Sequence, residues 1–171
     1  RQSPGLNAWC APSLPMGFYR IQSPRPTEVY VPSRYDGQTR LPLLLALHAL
    51  AAGADGATLR SGINLEPLAE LRGFLVCYPC GTVDAAGRGF WNGPDFLSFS
   101  GPDVDDSGYL RGVIEEIQRR FAVDPKRIYV TGYSSGGNMS QRLALEHADL
   151  IAASGLYRRL SELQFRTDPT A

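Results

Sequence analysis

The feature that most constrains the fold is a β-branched run that leads directly into closely spaced glycines and then into a helical pattern. Residues 127–131 predict a strand, and a helix is predicted from about 138 to 148. Between them lies G-x-S-x-G at 132–136, with Ser134 at its centre. Glycine two residues before and two residues after Ser134 leaves room for a strand to turn into a helix within a few residues.

A G-x-S-x-G turn in this context is typical of a nucleophilic serine. The Ser134 hydroxyl would stand at the carboxyl edge of the sheet, and the N–H of Ser135 would be free to donate to a developing oxyanion. Ser135 is not the predicted nucleophile, because only Ser134 has glycine at both flanking positions. The alternative is a phosphate-binding or plain turn. That alternative is weaker because G-x-x-x-x-G-K-[ST] and G-x-G-x-x-G are both absent.

The rest of the chain alternates strand and helix patterns. This order predicts an α/β fold, with a mostly parallel sheet and helices on both of its faces. Residues 49–62 are small and glycine-containing and are predicted to form a loop. The predicted strands are 27–31, 43–47 and 74–78. One predicted helix covers 65–71 and is capped by Asn64. A second predicted helix is capped by residues 105–107, and its apolar face consists of Leu110, Val113, Ile114, Ile117 and Phe121.

These patterns divide the chain into three parts. Residues 1–26 are predicted to be an irregular N-terminal arm or the end of a linker. Residues 27–153 form the predicted domain, which is expected to be partial, and residues 154–171 are predicted to be a divergent tail. The sheet is therefore expected to stop after the helix that follows Ser134, which would expose an apolar edge and lower stability.

Composition excludes several functional classes. Lys plus Arg and Asp plus Glu both number 17, so no basic excess indicates a nucleic-acid partner. The longest apolar stretch, 41–52, is too short to span a bilayer. Cys10, Cys77 and Cys80 are an odd number, and Cys77 and Cys80 on one strand would lie about 10 Å apart, beyond disulfide reach. No metal site and no cofactor are predicted.

Two further segments carry candidate site residues. The loop after strand 43–47 begins His48-Ala49-Leu50, and the backbone N–H groups of Ala49 and Leu50 are candidates for the oxyanion hole. His48 precedes the serine, so it is predicted to be a structural residue of this loop rather than the base. The predicted loop 82–102 contains aromatic residues that either contact substrate or fill the core of the loop. The candidates for substrate contact are His48, Trp91 and Tyr133.

With these motifs in this order, the sequence resembles a known family, the secreted polyhydroxybutyrate depolymerase and feruloyl esterase branch of the α/β-hydrolases. The resemblance implies ester hydrolysis through an acyl-enzyme on Ser134, without a cofactor. It also implies an extracellular setting and substrates such as feruloylated plant polysaccharide or a short polyester. The matching pieces are 28–32, 43–48, 78–79 with 81–82, 90–92, 104–106, 123–132 and 134–137.

The chain departs from that family in ways that bear on activity. Ala49 stands where the family usually has glycine, and Cys80 stands where an aspartate is common. The single histidine after Ser134 is His147, 13 residues later on the same predicted helix. That spacing places it about 20 Å along the helix axis, too far to act as the base.

The chain is therefore expected to be a fragment that lacks the acid and the histidine of a catalytic triad. Loss of the triad lowers turnover by a factor on the order of 10⁶ in a well-studied hydrolase, so the isolated chain is expected to be nearly inactive. The competing hypothesis is a catalytically inactive carbohydrate- or polymer-binding module of the same fold. In that case Phe90, Trp91 and Phe96 would hold the ligand.

Overall fold

A computed structural model describes residues 17–93 and 104–157 of the chain. Strands and helices alternate along the described chain, as the sequence predicts. The strands are β1 Gly17–Arg20, β2 Thr27–Val31, β3 Leu41–Leu47, β4 Ala51–Ala52, β5 Leu75–Pro79, β6 Thr82–Val83, β7 Arg88–Phe90, β8 Val123–Tyr133 and β9 Ala153–Tyr157. The helices are α1 Gly56–Ile63, α2 Glu66–Arg72, α3 Asp106–Arg120 and α4 Ser135–Glu146.

The main sheet has six strands in the order β1-β2-β5-β3-β8-β9. Strands β5, β3, β8 and β9 run parallel, whereas β1 and β2 are antiparallel additions at one edge. A separate small sheet has the order β4-β7-β6. The mostly parallel sheet predicted from the sequence is confirmed.

One face of the main sheet packs against α3 and α4 in the larger part of the core. Alternate residues of β3 point to this face and are fully buried, as expected of a strand covered on both sides. The apolar stripe predicted for α3 meets them. The principal members of this cluster are Leu43, Leu45, Leu47, Ile128, Val130, Leu110, Val113, Ile114, Ile117, Met139 and Leu143.

The opposite face carries α1 and α2, so helices flank the sheet on both sides. Ala46 of β3 and Val76 of β5 pack there against Leu65 and Ala69. Glu70 joins α2 to the neighbouring strand, because its Oε1 accepts a hydrogen bond of 2.6 Å from the Tyr30 hydroxyl. The predicted α/β architecture is confirmed in this respect too.

The predicted loop 49–62 and the predicted cap Asn64 need correction. The predicted loop 49–62 contains β4 and α1, and α1 begins with a capping box in which Asp55 and Thr58 satisfy each other's backbone N–H groups. Asn64 does not cap α2 at its start. It ends α1 instead, with a positive φ of 40°, a conformation that asparagine tolerates better than most residues.

The structure also differs from the predictions for the two ends of the domain. Residues Gly17–Arg20 of the supposed irregular arm form the edge strand β1, which pairs with β2. The sheet does not stop after α4, because Ala153–Tyr157 forms β9 and pairs in parallel with β8. The edge of β8 that the sequence left bare is therefore covered. Across 17–93 and 104–157, none of the helices has the length and apolar character that crossing a bilayer requires.

The central position of β3 yields a stability prediction. Leu45 is 0% exposed at the middle of the sheet, and its replacement by alanine leaves a cavity. We expect Leu45→Ala to lower the free energy of unfolding by about 2–5 kcal/mol, measured by urea denaturation. Leu71→Ala is the matched control, because Leu71 is 65% exposed and its loss is expected to change stability by at most about 0.5 kcal/mol. Equal effects of the two substitutions would contradict this account of the core.

Candidate active site

A sharp turn joins β8 to α4, with a single residue between them. Strand β8 ends at Tyr133, helix α4 begins at Ser135, and Ser134 lies between with φ 53° and ψ −115°. A non-glycine residue rarely adopts such a conformation, and it costs about 1–3 kcal/mol unless the surroundings impose it. Ser134 is exposed, so its side chain stands clear of the core. The turn predicted from G-x-S-x-G is confirmed.

The two flanking glycines are required by close backbone packing. A Cβ on Gly132 would lie 2.3 Å from the carbonyl carbon of Gly136. A Cβ on Gly136 would lie 2.4 Å from the carbonyl oxygen of Leu47 and 2.5 Å from that of His48. Real Cβ atoms do not approach other atoms so closely, so the start of α4 can rest against the end of β3 only when both positions are glycine.

The start of α4 presents unpaired backbone donors beside Ser134. Ser135 is its first residue, so the Ser135 N–H has no acceptor within the helix. The Ser135 side chain is buried, and its hydroxyl has no hydrogen-bond partner in the described part of the chain. The oxyanion role predicted for the Ser135 N–H is compatible with this position and stays a prediction.

The loop that follows β3 lies next to this turn. In the parallel register of β3 and β8, Leu47 pairs with Gly132, so both strands end at the same edge of the sheet. Ala49 and Leu50 come next in the chain and are half-buried. The structure thus brings the predicted oxyanion loop to the edge where Ser134 stands. Donation from the Ala49 and Leu50 N–H groups stays a prediction.

His48 is buried at the root of this loop with both ring nitrogens engaged. Its Nε2 accepts a hydrogen bond of 2.8 Å from the Gly81 N–H, so the ring proton resides on Nδ1, which lies 2.9 Å from the Ala49 carbonyl oxygen. The side chain is only 2% exposed, and burial lowers the pKa of the imidazole. The structural role predicted for His48 agrees with these contacts, and its burial gives no support to the candidate role in substrate contact.

The aromatic residues of the following loop are buried rather than displayed. Phe90 and Trp91 are each 1% exposed, and the Trp91 ring lies 5.1 Å from the His48 ring. The interpretation that these rings fill the core is therefore favoured, and the candidate contact of Trp91 with substrate is not supported. Phe96 lies outside the described residues.

Tyr133, the third candidate for substrate contact, lies beside a cavity on the α1/α2 side of the sheet. This cavity has a volume of about 360 Å³ and is lined along its length by residues of β3 and β8, Leu44 and Tyr129 among them. It follows the face of the sheet, whereas Ser134 stands at its edge. Substrate contact by Tyr133 stays a prediction.

His147 follows α4 and is engaged in an unrelated set of contacts. Its Nδ1 lies 3.1 Å from Arg111 Nη1, and its Nε2 lies 3.0 Å from the Ser107 hydroxyl oxygen. Because arginine can only donate, Nδ1 is the acceptor and the proton resides on Nε2. In this tautomer His147 cannot remove a proton from Ser107. The expectation that His147 is an ordinary residue near the helix end agrees with its contacts.

A buried ion pair joins two segments that no sequence pattern connects. Arg25, placed in the supposed irregular arm, forms an ion pair of 2.6 Å with Asp106. The sequence predicts a capping role for residues 105–107, and in the structure Asp105 caps α3, since its side chain accepts from the Gly108 N–H. The sequence contains two adjacent aspartates at this point and does not indicate which of them faces inward.

The cysteines show no sign of a redox or metal site in the part of the chain that is described. Cys77 and Cys80 are both free thiols, as their spacing predicts. Burial raises the pKa of both, which disfavours the reactive thiolate. No cluster of metal-ligating side chains occurs within 17–93 and 104–157. Cys10 lies outside the described residues.

Residues 27–163 match the family model described as esterase PHB depolymerase. The chain belongs to this esterase family. The match covers most of the chain and extends past residue 153, into the part that the sequence patterns left unassigned. The family predicted from the sequence motifs is confirmed.

Individual members of the esterase family are similar to this chain at modest identity. Feruloyl esterase B of Piromyces equi is 34% identical over 126 residues, which is 74% of this chain and 22% of that protein. The bifunctional acetylxylan esterase/xylanase XynS20E of Neocallimastix patriciarum is 30% identical over 129 residues, 75% of this chain and 17% of that protein. The chain therefore spans less than a quarter of either relative.

A solved structure supports the fold. An acetyl xylan esterase from Aspergillus awamori superposes with a TM-score of 0.59 at 17% identity, over 81% of this chain and 52% of that one. At this identity the likeness establishes a shared architecture alone. With the sheet described above, it confirms the expected α/β-hydrolase fold.

The contact between α4 and β3 yields a prediction for the turn at residues 132–136. We expect Gly136→Ala to lower the free energy of unfolding by about 3 kcal/mol or more, because its methyl group would overlap the Leu47 and His48 carbonyls. Gly62→Ala is the matched control in an open position near the end of α1. Its Cβ would meet nothing within 4 Å, so a gain of about 0.5–1 kcal/mol is expected. Denaturant titration of both variants measures the contrast, and a tolerated Gly136→Ala would contradict the packing described here.

The strained backbone of Ser134 yields a second prediction. Glycine adopts positive φ without a steric penalty, whereas alanine does not. We therefore expect Ser134→Gly to be more stable than Ser134→Ala by about 1 kcal/mol or more, although glycine also loses more entropy on folding. Thermal and urea unfolding of the two variants provides the measurement. Equal stability would indicate that Ser134 is not strained.

Proposed function

We propose that this chain is the nucleophile-bearing part of a serine carboxylic ester hydrolase. The observation that carries the proposal is the exposed Ser134 held at φ 53° between β8 and α4, in a chain that belongs to an esterase family. In the proposed reaction the Ser134 Oγ attacks the ester carbonyl carbon, the alcohol leaves with a proton, and water then hydrolyses the acyl-enzyme.

The setting of Ser134 supports this chemistry. The start of α4 carries a partial positive charge that favours a developing oxyanion, and the Ser135 N–H is unpaired within the helix. The loop at 48–50 lies at the same edge and would supply the second donor. Donors fixed in advance by the fold lower the barrier, because they need no reorganisation as the charge develops.

The base for this serine must come from elsewhere. The chain contains two histidines, and both are engaged away from Ser134. His48 is buried with both nitrogens occupied, and His147 is paired with Ser107 and Arg111. We propose that polypeptide outside these 171 residues provides the acid and the histidine. The 171-residue chain alone would then be nearly inactive, with turnover lowered by a factor on the order of 10⁶.

The proposed substrates are esters carried by polymers. Relatives named feruloyl esterase and acetylxylan esterase favour ester groups on plant cell-wall polysaccharide, and the family name favours a polyester as the other candidate. Such polymers are too large to enter a cell. An enzyme that acts on them would work in the extracellular space, which is the location we propose.

The competing binding-module hypothesis lacks a supporting observation in the described structure. It relied on aromatic side chains displayed to a ligand, yet Phe90 and Trp91 are each 1% exposed. The binding-module hypothesis also gives no reason for the strained backbone conformation of Ser134. The hydrolase proposal explains that strain as the means of lifting the nucleophile away from the backbone.

The nucleophile is tested by fluorophosphonate labelling of the 171-residue chain, with the site identified by mass spectrometry. Because no histidine reaches Ser134, imidazole is added as a diffusible base. We expect modification of Ser134 that accelerates with imidazole concentration, and also as rising pH leaves more imidazole unprotonated. Ser134→Ala should abolish labelling. Ser135→Ala is the matched control and should retain it, since the backbone N–H of residue 135 remains.

Two results would contradict the proposal. One is that Ser134 stays unmodified at every imidazole concentration. The other is that Ser134 reacts no faster than other exposed serines of the same chain, such as Ser33. Rapid ester turnover by the chain without imidazole, lost in Ser134→Ala, would support the nucleophile and refute the absence of a base.

A further inference from the structure

Arg25 is inserted into the body of the domain from the segment that precedes β2. Its side chain is 19% exposed, and its guanidinium carbon lies 3.7 Å from the centre of the Tyr109 ring and 5.9 Å from that of Trp91. Its Nη1 lies 3.2 Å from the Thr82 hydroxyl oxygen. Residue 25 lies two residues before the first residue of the family match.

Asp106 is the charged partner of Arg25 and is completely buried. Its side chain is 0% exposed, and one carboxylate oxygen receives both the Arg25 guanidinium and the Thr82 hydroxyl. The other oxygen accepts a hydrogen bond of 2.7 Å from the Asn92 backbone N–H. A buried carboxylate without its cation is strongly unfavourable, so the pair fixes the relative positions of the segments that supply it.

These contacts continue from the ion pair to the loop beside Ser134. Asn92 is held by Asp106, and the adjacent Trp91 ring is stacked on Tyr109 at an interplanar angle of 20°. Trp91 in turn packs against the His48 ring at 5.1 Å. His48 has little freedom on its remaining sides, because a Cβ at Gly81 or Gly89 would lie 3.0 Å or 3.2 Å from its ring.

We propose that Arg25 is a positioning residue for the candidate oxyanion loop. Paired with Asp106 and stacked on Tyr109, it holds Trp91 against His48 and thereby keeps the imidazole in the tautomer that anchors residues 48–50. The link of this loop to catalysis rests on the proposed function, but the effect of Arg25 on His48 does not. Arg25 itself is not placed in contact with a reacting group.

The direction of the electrostatic effect on His48 can be worked out. Burial is the largest cause of the lowered pKa of His48, the hydrogen bond with the Ala49 carbonyl and the charges of Asp55 and Asp106 oppose it, and the positive charge of Arg25 makes a smaller lowering contribution. Protonation of Nε2 would remove the acceptor for the Gly81 N–H. Replacement of Arg25 by a neutral residue therefore makes His48 easier to protonate and the anchor easier to break.

Nitrogen-15 NMR of the imidazole groups in the 171-residue chain tests the proposal. The chain has two histidines, and a His147→Gln variant assigns the His48 signals. In the wild-type chain we expect one His48 tautomer, with the proton on Nδ1, and a titration midpoint below that of an exposed histidine. In Arg25→Gln we expect a mixture of tautomers and a midpoint shifted to higher pH. Arg25→Lys keeps the charge but not the planar stack, so the midpoint should stay near that of the wild type while the tautomers stay mixed.

Glu70→Gln is the matched control for a purely structural effect. Glu70 binds Tyr30 and Ser33 through its side chain, so its loss should reduce stability and leave His48 unchanged. If Arg25→Gln does not fold, as judged by circular dichroism, Asp106→Asn is measured instead and is expected to show the same mixture of tautomers. An unchanged His48 spectrum in a folded Arg25 or Asp106 variant would overturn the proposal.

Labelling of Ser134 in the same variants connects the anchor to reactivity. With imidazole present, Arg25→Gln is expected to slow fluorophosphonate labelling by up to about 100-fold, the size of effect that a displaced oxyanion donor produces. Glu70→Gln is expected to label at the wild-type rate. Failure of the wild-type chain to label would count against the proposed function alone, because the His48 spectra decide the role of Arg25 independently.

Discussion

The contact between the start of α4 and the end of β3 is the constraint on which the rest of the site depends. Glycine at 136 lets backbone touch backbone there, and glycine at 132 permits the same approach within the turn. This proximity forces Ser134 into its strained conformation and holds the loop after β3 beside it. The candidate nucleophile and the candidate donors are therefore positioned by the same packing.

A second level of organisation surrounds this contact. His48 follows β3 directly, and its neutral imidazole joins the loop to the Gly81 backbone. The Trp91 ring packs against this imidazole, and Arg25, which is paired with Asp106, lies over the Trp91 ring. A buried polar group is costly without a partner, so the hydrogen bond of the imidazole and the ion pair of Arg25 and Asp106 favour one geometry of the loop.

The sequence was informative where the signal is local and silent where it depends on tertiary pairing. The turn at Ser134, the buried run of β3 and the apolar face of α3 follow from residue spacing alone. Strand β9 contains Ser154 and Gly155, which are poor strand formers, and its position is stabilised by pairing with β8 and by the Ser140 hydroxyl, which donates to the Gly155 carbonyl. Arg25 and Asp106 are 81 residues apart, and no local pattern connects them. The helix α1 was not predicted, because the small residues around Asp55 and Thr58 favoured a loop.

The location of Arg25 has a practical consequence for how such a domain is delimited. A recombinant protein that started at Thr27, the first residue of the family match, would retain the four parallel strands and the serine turn but would lose the edge strand β1. It would also leave the Asp106 carboxylate buried without its guanidinium. Boundaries drawn by family similarity would thus remove a side chain from the interior and a strand from the edge of the sheet, and poor solubility of that shortened protein would reflect these two losses rather than a fault in the parallel strands.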